Sequence, residues 1–421
     1  MTAFTRERFR EICRGERPGD FGILGNGIHI FWPETVLAWV EQGAPESFAH
    51  VDELDYGTPS PVDAFFAFDP SRSLAEVHSG MDAGTTMHEY VPGVSAHNHS
   101  FLLNPALDPQ VLEEDEKSIV VRNSGGITER LLKDSAFNMP TWLDHPVKDR
   151  RSWDRLKGRL DPGTPTRYPV DWHAYAARVN ALDCPVSMEV GGFFGYLNMW
   201  VGTEALMYLF YDDPTLVEDM METVLELELA MVERVTRDIH LDWVWYWEDM
   251  AYKGGPMISP RMVRRFMLPR YERLNAVIRG SGCEVIYLDC DGNIDELLPL
   301  WIEAGINLFW PLEVAAGMDP LALRRQYGKD IILAGGLDKR ELMRDKASLR
   351  REVLGKVPEL ARTGPYFPSP DHLVPIDMPF ENFCDYVEVL REIRGDEPLG
   401  LSRASRPHTD ASGSGERGGR E

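Results

Sequence analysis

Apolar and polar positions follow one repeated phrase through the second half of the chain. A short apolar run is followed by a polar residue and then by an amphipathic helix. The apolar runs cover residues 185–190, 243–247, 285–288, 306–310 and 331–333, with a weaker one at 366–367. Runs of this length between helices predict parallel strands buried on both faces. Each run leads into an acid or a histidine: Glu189, Glu248 with Asp249, Asp289 with Asp291, Glu313, Asp338, and Asp371 with His372. Parallel strands place all these ends on one rim, and in a closed βα barrel that rim carries the catalytic groups. The expected fold is therefore α/β, a (β/α)8 TIM-type barrel with N-terminal additions.

Helix signals punctuate the runs. Asp213-Pro214 and Ser259-Pro260 supply an N-cap followed by a first-turn proline, opening helices over 214–240 and 260–279. Pro269 should kink the second of these. Helices over 295–304, 319–327 and 339–362 are stopped by Gly305, Gly328 and Gly364. The last helix is expected over 379–393. Nearer the N-terminus, helices are expected over 6–14, 34–42, 146–157 and 172–181, and the glycine-rich stretch 21–30 is a strand candidate. Residues 118–132, with Asn-Ser-Gly-Gly at 123–126, read as a β-hairpin on the side of the main domain. Residues 1–180 are taken as the N-terminal part of the barrel with these additions, and 181–395 as its βα-repeat part. Residues 396–421 form a tail that turns to Ser, Gly, Arg and Glu and is expected to be disordered.

Composition narrows the function. The net charge of −24 repels phosphate backbones and anionic lipid, so neither nucleic acid nor membrane is an expected partner. No apolar run approaches the roughly 20 residues that span a bilayer. The charged N-terminus lacks a secretory core, and the five cysteines are scattered with no C-x-x-C pair. A cytoplasmic location and reduced thiols are expected. The expected partner is a small-molecule substrate, and a homodimer is compatible with the sequence.

Three segments carry candidate chemistry. Trp243 to Pro256 runs from a strand into Glu248-Asp249, walled by Trp245 and Trp247. A carboxyl poorly solvated by indoles has a raised pKa and suits a general acid; alternatively Asp249 only ties down its loop. Asp289 and Asp291 are two residues apart and share a face in extended chain. Such a pair can share a proton or hold a metal; alternatively one of them caps the next helix. His372 lies in a loop stiffened by Pro370 and Pro375, where it is either a site residue or a satisfied structural group. His97 and His99, with His88 nearby, have metal-like spacing but no strand-end position. No Walker sequence or G-x-G-x-x-G after a strand is present.

From about residue 191 to 394 the landmarks resemble the uroporphyrinogen decarboxylase superfamily. They are Gly192-Phe-Phe-Gly before a helix, Ser259-Pro-Arg-Met-Val-Arg-Arg-Phe-Met-Leu-Pro, Asp291-Gly, Glu303-Ala-Gly and Asp319-Pro. Gly335-Gly336 with Asp338, and His372 with Pro375, Asp377 and Pro379, complete the set. The resemblance implies a (β/α)8 barrel with a deep cleft. It implies either cofactor-free decarboxylation of tetrapyrrole carboxylates or methyl transfer between a corrinoid protein and a thiol. The chain also departs from that pattern. Where the decarboxylases carry an Arg-Gln-Ala-Gly-Arg segment, residues 25–32 read Gly-Asn-Gly-Ile-His-Ile-Phe-Trp. Their Phe-Ser-Asp segment has no counterpart, and Tyr196 or Trp200 is nearest to the second-motif tyrosine. The methyltransferases hold zinc with His-x-Cys and a later Cys. Asp289, Asp291 and His372 stand in those regions here, without the thiolates a soft zinc site prefers.

The reading taken forward is a cofactor-free decarboxylase acting on a carboxylated, porphyrin-like substrate. Asp249, Asp291 and His372 are the catalytic candidates. Glu248, Asp289, Asp338, Trp247 and Tyr196 are the substrate-binding candidates. The alternative is a methyltransferase working with a corrinoid protein through a divalent metal such as zinc. Arg122, Arg130 and Arg167 are the cations expected to reach the cleft on loops.

Overall fold

A computed structural model describes residues 3–25, 27–49, 60–74, 77, 102–133 and 139–401. The candidate histidines His88, His97 and His99, and the tail from 402, lie outside the described residues. The apolar runs form parallel strands Val186–Glu189, Trp243–Trp247, Val285–Asp289, Leu308–Trp310, Ile332–Ala334 and Tyr366–Phe367. A short strand that the sequence did not reveal, Arg72–Ser73, pairs with Val186–Ser187 and makes seven. The strands are hydrogen-bonded strictly in chain order. Both edges meet the same N-terminal segment: Leu24 bridges Asp69, and Phe31 bridges Val374, each in parallel. The sheet is therefore curled, and the glycine-rich stretch expected as a strand contributes bridges rather than a ladder.

Side-chain parity divides the sheet into two layers. Val244, Tyr246, Ile286, Leu288, Phe309, Leu333 and Tyr366 pack outward beneath the helices. Trp243, Val285, Tyr287, Leu308, Trp310, Ile332 and Phe367 point inward and join Phe4, Phe9 and Ile12 in a separate inner core. The leading helix, Arg6–Cys13, thus plugs the end where the strands begin. Its Phe9 ring lies 5.9 Å from Trp243 and 5.6 Å from Phe367. Arg6 and Arg10 fix it to the buried Asp242 at 3.3 and 2.7 Å. With that end closed, the strand C-termini form the open end. The same parity turns Glu189, Trp247 and Asp289 inward.

Most helices follow their caps, including Pro214–Asp238 and Phe380–Arg394. Three differ from expectation. The kink expected at Pro269 is instead a π-helical turn, Val263–Met267, between Pro260–Met262 and Leu268–Gly280. The wider turn just before a residue without an N–H accommodates the missing donor. The helix expected over 339–362 is two, Lys339–Arg344 and Lys346–Thr363, because Asp345 leaves helical geometry and caps the second through Ser348. The helix expected from 295 is only Leu298–Glu303. The predicted hairpin is present as Ser118–Arg122 with Thr128–Leu132. Gln110–Glu114 and Thr141–Asp144 extend it to a four-stranded antiparallel sheet.

Candidate active site

Asp289 closes its strand in register with Trp247 on one side and Trp310 on the other. Asp291 follows after one residue, at a turn that only glycine allows. Gly292 has φ +82°, and a Cβ there would stand 2.7 Å from the Ala251 carbonyl carbon. That close approach draws the 291–292 turn onto the loop that holds Asp249. Asp249 has φ +38°, in the left-handed region that aspartate tolerates better than most residues. One carboxylate oxygen from each of Asp249, Asp289 and Asp291 lies within 4.8 Å of the others. Burial, and then the Asp291 charge, push Asp249 up to about 7. Burial, followed by the charges of Asp249, Asp291 and Glu189, holds Asp289 well above the carboxylate range. The Trp247 side chain hydrogen-bonds Asp249 and opposes part of that rise. Asp249 can thus hold a proton near neutral pH, as a general acid requires.

His372 completes it. Its Nε2 is 3.0 Å from Asp291 Oδ2, and its ring lies nearly parallel to Trp310 with centroids 6.5 Å apart. Burial lowers the imidazole pKa, but the hydrogen bond and charge of Asp291 outweigh it and leave the pKa above its ordinary value. Fully buried Asp371 fixes the surrounding loops. It accepts the Val314 N–H at 2.9 Å and the Lys339 N–H at 3.0 Å. Glu313 accepts the Gly292 N–H at 2.9 Å and meets Lys339 Nζ at 3.5 Å.

Asp249, Asp289, Asp291, His372 and Trp247 are therefore brought together. Glu248 is not. It is fully buried and accepts backbone N–H groups from Phe193, Phe194 and Gly195 at 2.8, 2.6 and 3.1 Å, and the Tyr271 hydroxyl. Expected at the substrate, it instead pins the Gly192–Gly195 turn against its strand. Glycine is needed there because a Cβ on Gly192 would lie 1.9 Å from the Trp247 carbonyl oxygen. Asp338 also departs from the expected role. It caps Lys339–Arg344 through the Arg340 N–H and pairs with the Arg340 guanidinium at 2.7 Å. Tyr196 is buried and donates its hydroxyl to Glu189, whose carboxyl burial pushes up to about 7.

The expected loop arginines are elsewhere. Arg167 is fully buried and donates to the carbonyls of Leu102, Arg159 and Asp161. Arg122 and Arg130 lie exposed on the antiparallel sheet. Sequence reasoning missed the Glu189–Tyr196 pair and Lys339. Parity along the strand Val186–Glu189 marks Glu189 as inward. Lys339 carried only the signal of being a cation just beyond a strand-end Gly-Gly.

Three carboxylate oxygens at this spacing suit a hard divalent cation. They do not suit a thiol-activating zinc. Cys290, between the two aspartates, packs in the outer layer, with its Sγ 3.4 Å from the Met250 nitrogen.

The family model described as uroporphyrinogen decarboxylase (URO-D) matches residues 138–393. Among solved structures, the chain is similar to a methyltransferase from Methanosarcina mazei at a TM-score of 0.53 and 13% identity. The match covers 93% of this chain and 98% of that one. At that identity the likeness establishes the fold. No curated protein matches the sequence. The family match spans more than half of the 421 residues and contains the aspartate cluster and His372; the chain belongs to the uroporphyrinogen decarboxylase family.

Proposed function

We propose that the chain is a cofactor-free decarboxylase working inside a closed (β/α)8 barrel, with Asp249, Asp289, Asp291 and His372 as its reaction centre. The observation that carries the reading is the cluster itself: three aspartate carboxylates within 4.8 Å of one another, one of them 3.0 Å from an imidazole. Replacing a substrate C–CO2⁻ bond by C–H requires one proton and leaves an electron pair on carbon until that proton arrives. Asp249, held near 7, is protonated in a large fraction of molecules at neutral pH and gives its proton to that carbon. His372 returns a proton through Asp291, so the centre is unchanged after CO2 leaves. Trp245 and Trp247, both half-buried, supply aromatic faces that suit a planar substrate.

One observation favours a second reading, methyl transfer with a corrinoid protein. Asp289 and Asp291 fall where the methyltransferases resembled by this sequence carry metal ligands, and their oxygens suit a divalent ion. Asp249, Asp289 and Asp291 would hold such an ion, which would act as a Lewis acid on a bound substrate. Metal analysis of the purified protein, with CO2 release measured before and after chelation, separates the readings. Release that survives chelation supports the first. A stoichiometric metal in a protein that releases no CO2 with or without chelation supports the second.

A further inference from the structure

Lys339 has no role in the proton chemistry above, yet it is a cation that the fold fixes at this rim, just beyond the strand Ile332–Ala334. Its backbone is fixed on both sides. The preceding Gly335-Gly336 is packed so closely that a Cβ on Gly335 would stand 2.2 Å from the Pro311 carbonyl oxygen. Its own N–H is held by Asp371 at 3.0 Å. The aliphatic stem is largely covered, with the side chain 21% exposed. The ammonium is only loosely paired, 3.5 Å from Glu313 Oε1, while the other Glu313 oxygen is committed to the Gly292 N–H. Its charge is felt by His372 and by Asp371. The next cation, Arg340, is occupied by Asp338 in a two-point pair. Asp291, Gly292, Glu313, Lys339, Asp371 and His372 therefore close a ring of contacts around the rim, in which His372 is committed to Asp291 and Lys339 is the less tightly held cation.

We propose that Lys339 is a specificity residue that anchors an anionic group of the substrate, a carboxylate or its equivalent, distinct from the carboxylate that is lost. The polarity of the rim favours an anion entering this way round, because the Asp291 charge repels it from the opposite side. A fixed ammonium on the departing carboxylate would stabilise the ground state as charge leaves it, and so slow the reaction. An anchor on a group that stays in the product carries no such penalty. The substrate class that follows is a compound with at least two acidic groups. Naming which group stays rests on the decarboxylase reading; the anion site itself does not.

The test uses succinate as probe on the full chain, at ionic strength matched with chloride. Binding is followed by intrinsic tryptophan fluorescence and by the shift in Tm. Saturable binding is expected for the wild type. Lys339→Met should bind at least about tenfold more weakly, the loss expected for one charge-assisted hydrogen bond. Lys339→Arg should retain most of the affinity. Glu313→Gln, which keeps an acceptor for Gly292 but frees the ammonium, should bind more tightly than the wild type. All three variants keep the backbone N–H that Asp371 holds, and unchanged circular dichroism checks their folding. Absence of saturable binding to the wild type, or equal binding by Lys339→Met, overturns the proposal. Anion binding lost in Lys339→Met, in a protein that releases no CO2 from any acid, would overturn the decarboxylase reading and leave the anion site standing.

Discussion

His372 Nε2 stands 3.0 Å from Asp291 Oδ2, although 80 residues separate them in sequence. The pair is partly open, with side-chain exposures of 22% and 35%. An ion pair this accessible adds at most about 1 kcal/mol to stability. Asp291→Asn and His372→Gln should therefore leave Tm within a few degrees of the wild type while removing turnover. Thermal melts read beside activity check this. A collapse in Tm would assign the pair to folding.

Glu248 shows the opposite balance. Its carboxylate satisfies three backbone N–H groups and the Tyr271 hydroxyl in a site without solvent. Glu248→Ala leaves those donors unmet and should cost at least about 3 kcal/mol. Urea denaturation measures the loss. A variant as stable as the wild type would show that the Gly192–Gly195 turn does not depend on it.

Stability should also depend on pH through Glu189. Burial raises its carboxyl from 4.5 to about 7, so the folded state keeps the proton longer than the unfolded one. This contribution is fully present below pH 4.5 and is lost as pH rises through 7. Glu189→Gln keeps an acceptor for Tyr196 and removes the charge. Compared with the wild type it should gain up to about 3 kcal/mol between pH 5 and pH 8. Urea midpoints across that range decide it, and a pH-independent difference would contradict it.

Uroporphyrinogen itself should be turned over weakly or not at all. Several fixed cations are needed to hold a molecule with eight carboxylates. Arg167 is buried on carbonyl groups, Arg122 and Arg130 lie on the antiparallel sheet, and the rim is acidic. Anaerobic incubation with chromatography of coproporphyrinogen tests this. Turnover near about 10 s⁻¹ would contradict it.

The strands and their acidic ends were legible because apolar runs and capped helices are local signals. The approach of Asp291 to Asp249 was legible only as a shared rim, since it depends on Gly292 seating on Ala251. Glu248 and Asp338 misled for one reason. An acid at a strand end reads alike whether it faces the cleft or satisfies backbone donors, and only the neighbouring turn decides. The break at Asp345 was hidden because helical residues flank it on both sides. The inward Glu189 was written in parity, but Tyr196, which holds it, comes from the following helix.

The most direct test is CO2 release from a pool of carboxylated small molecules under anaerobic conditions, followed by membrane-inlet mass spectrometry. The wild type and Asp291→Asn should be compared at equal concentration and equal fold content. The account predicts release by the wild type and release at least about 100-fold slower from the variant, as expected when acid–base assistance is lost. Equal release from both proteins would contradict the assignment of the reaction to the aspartate cluster.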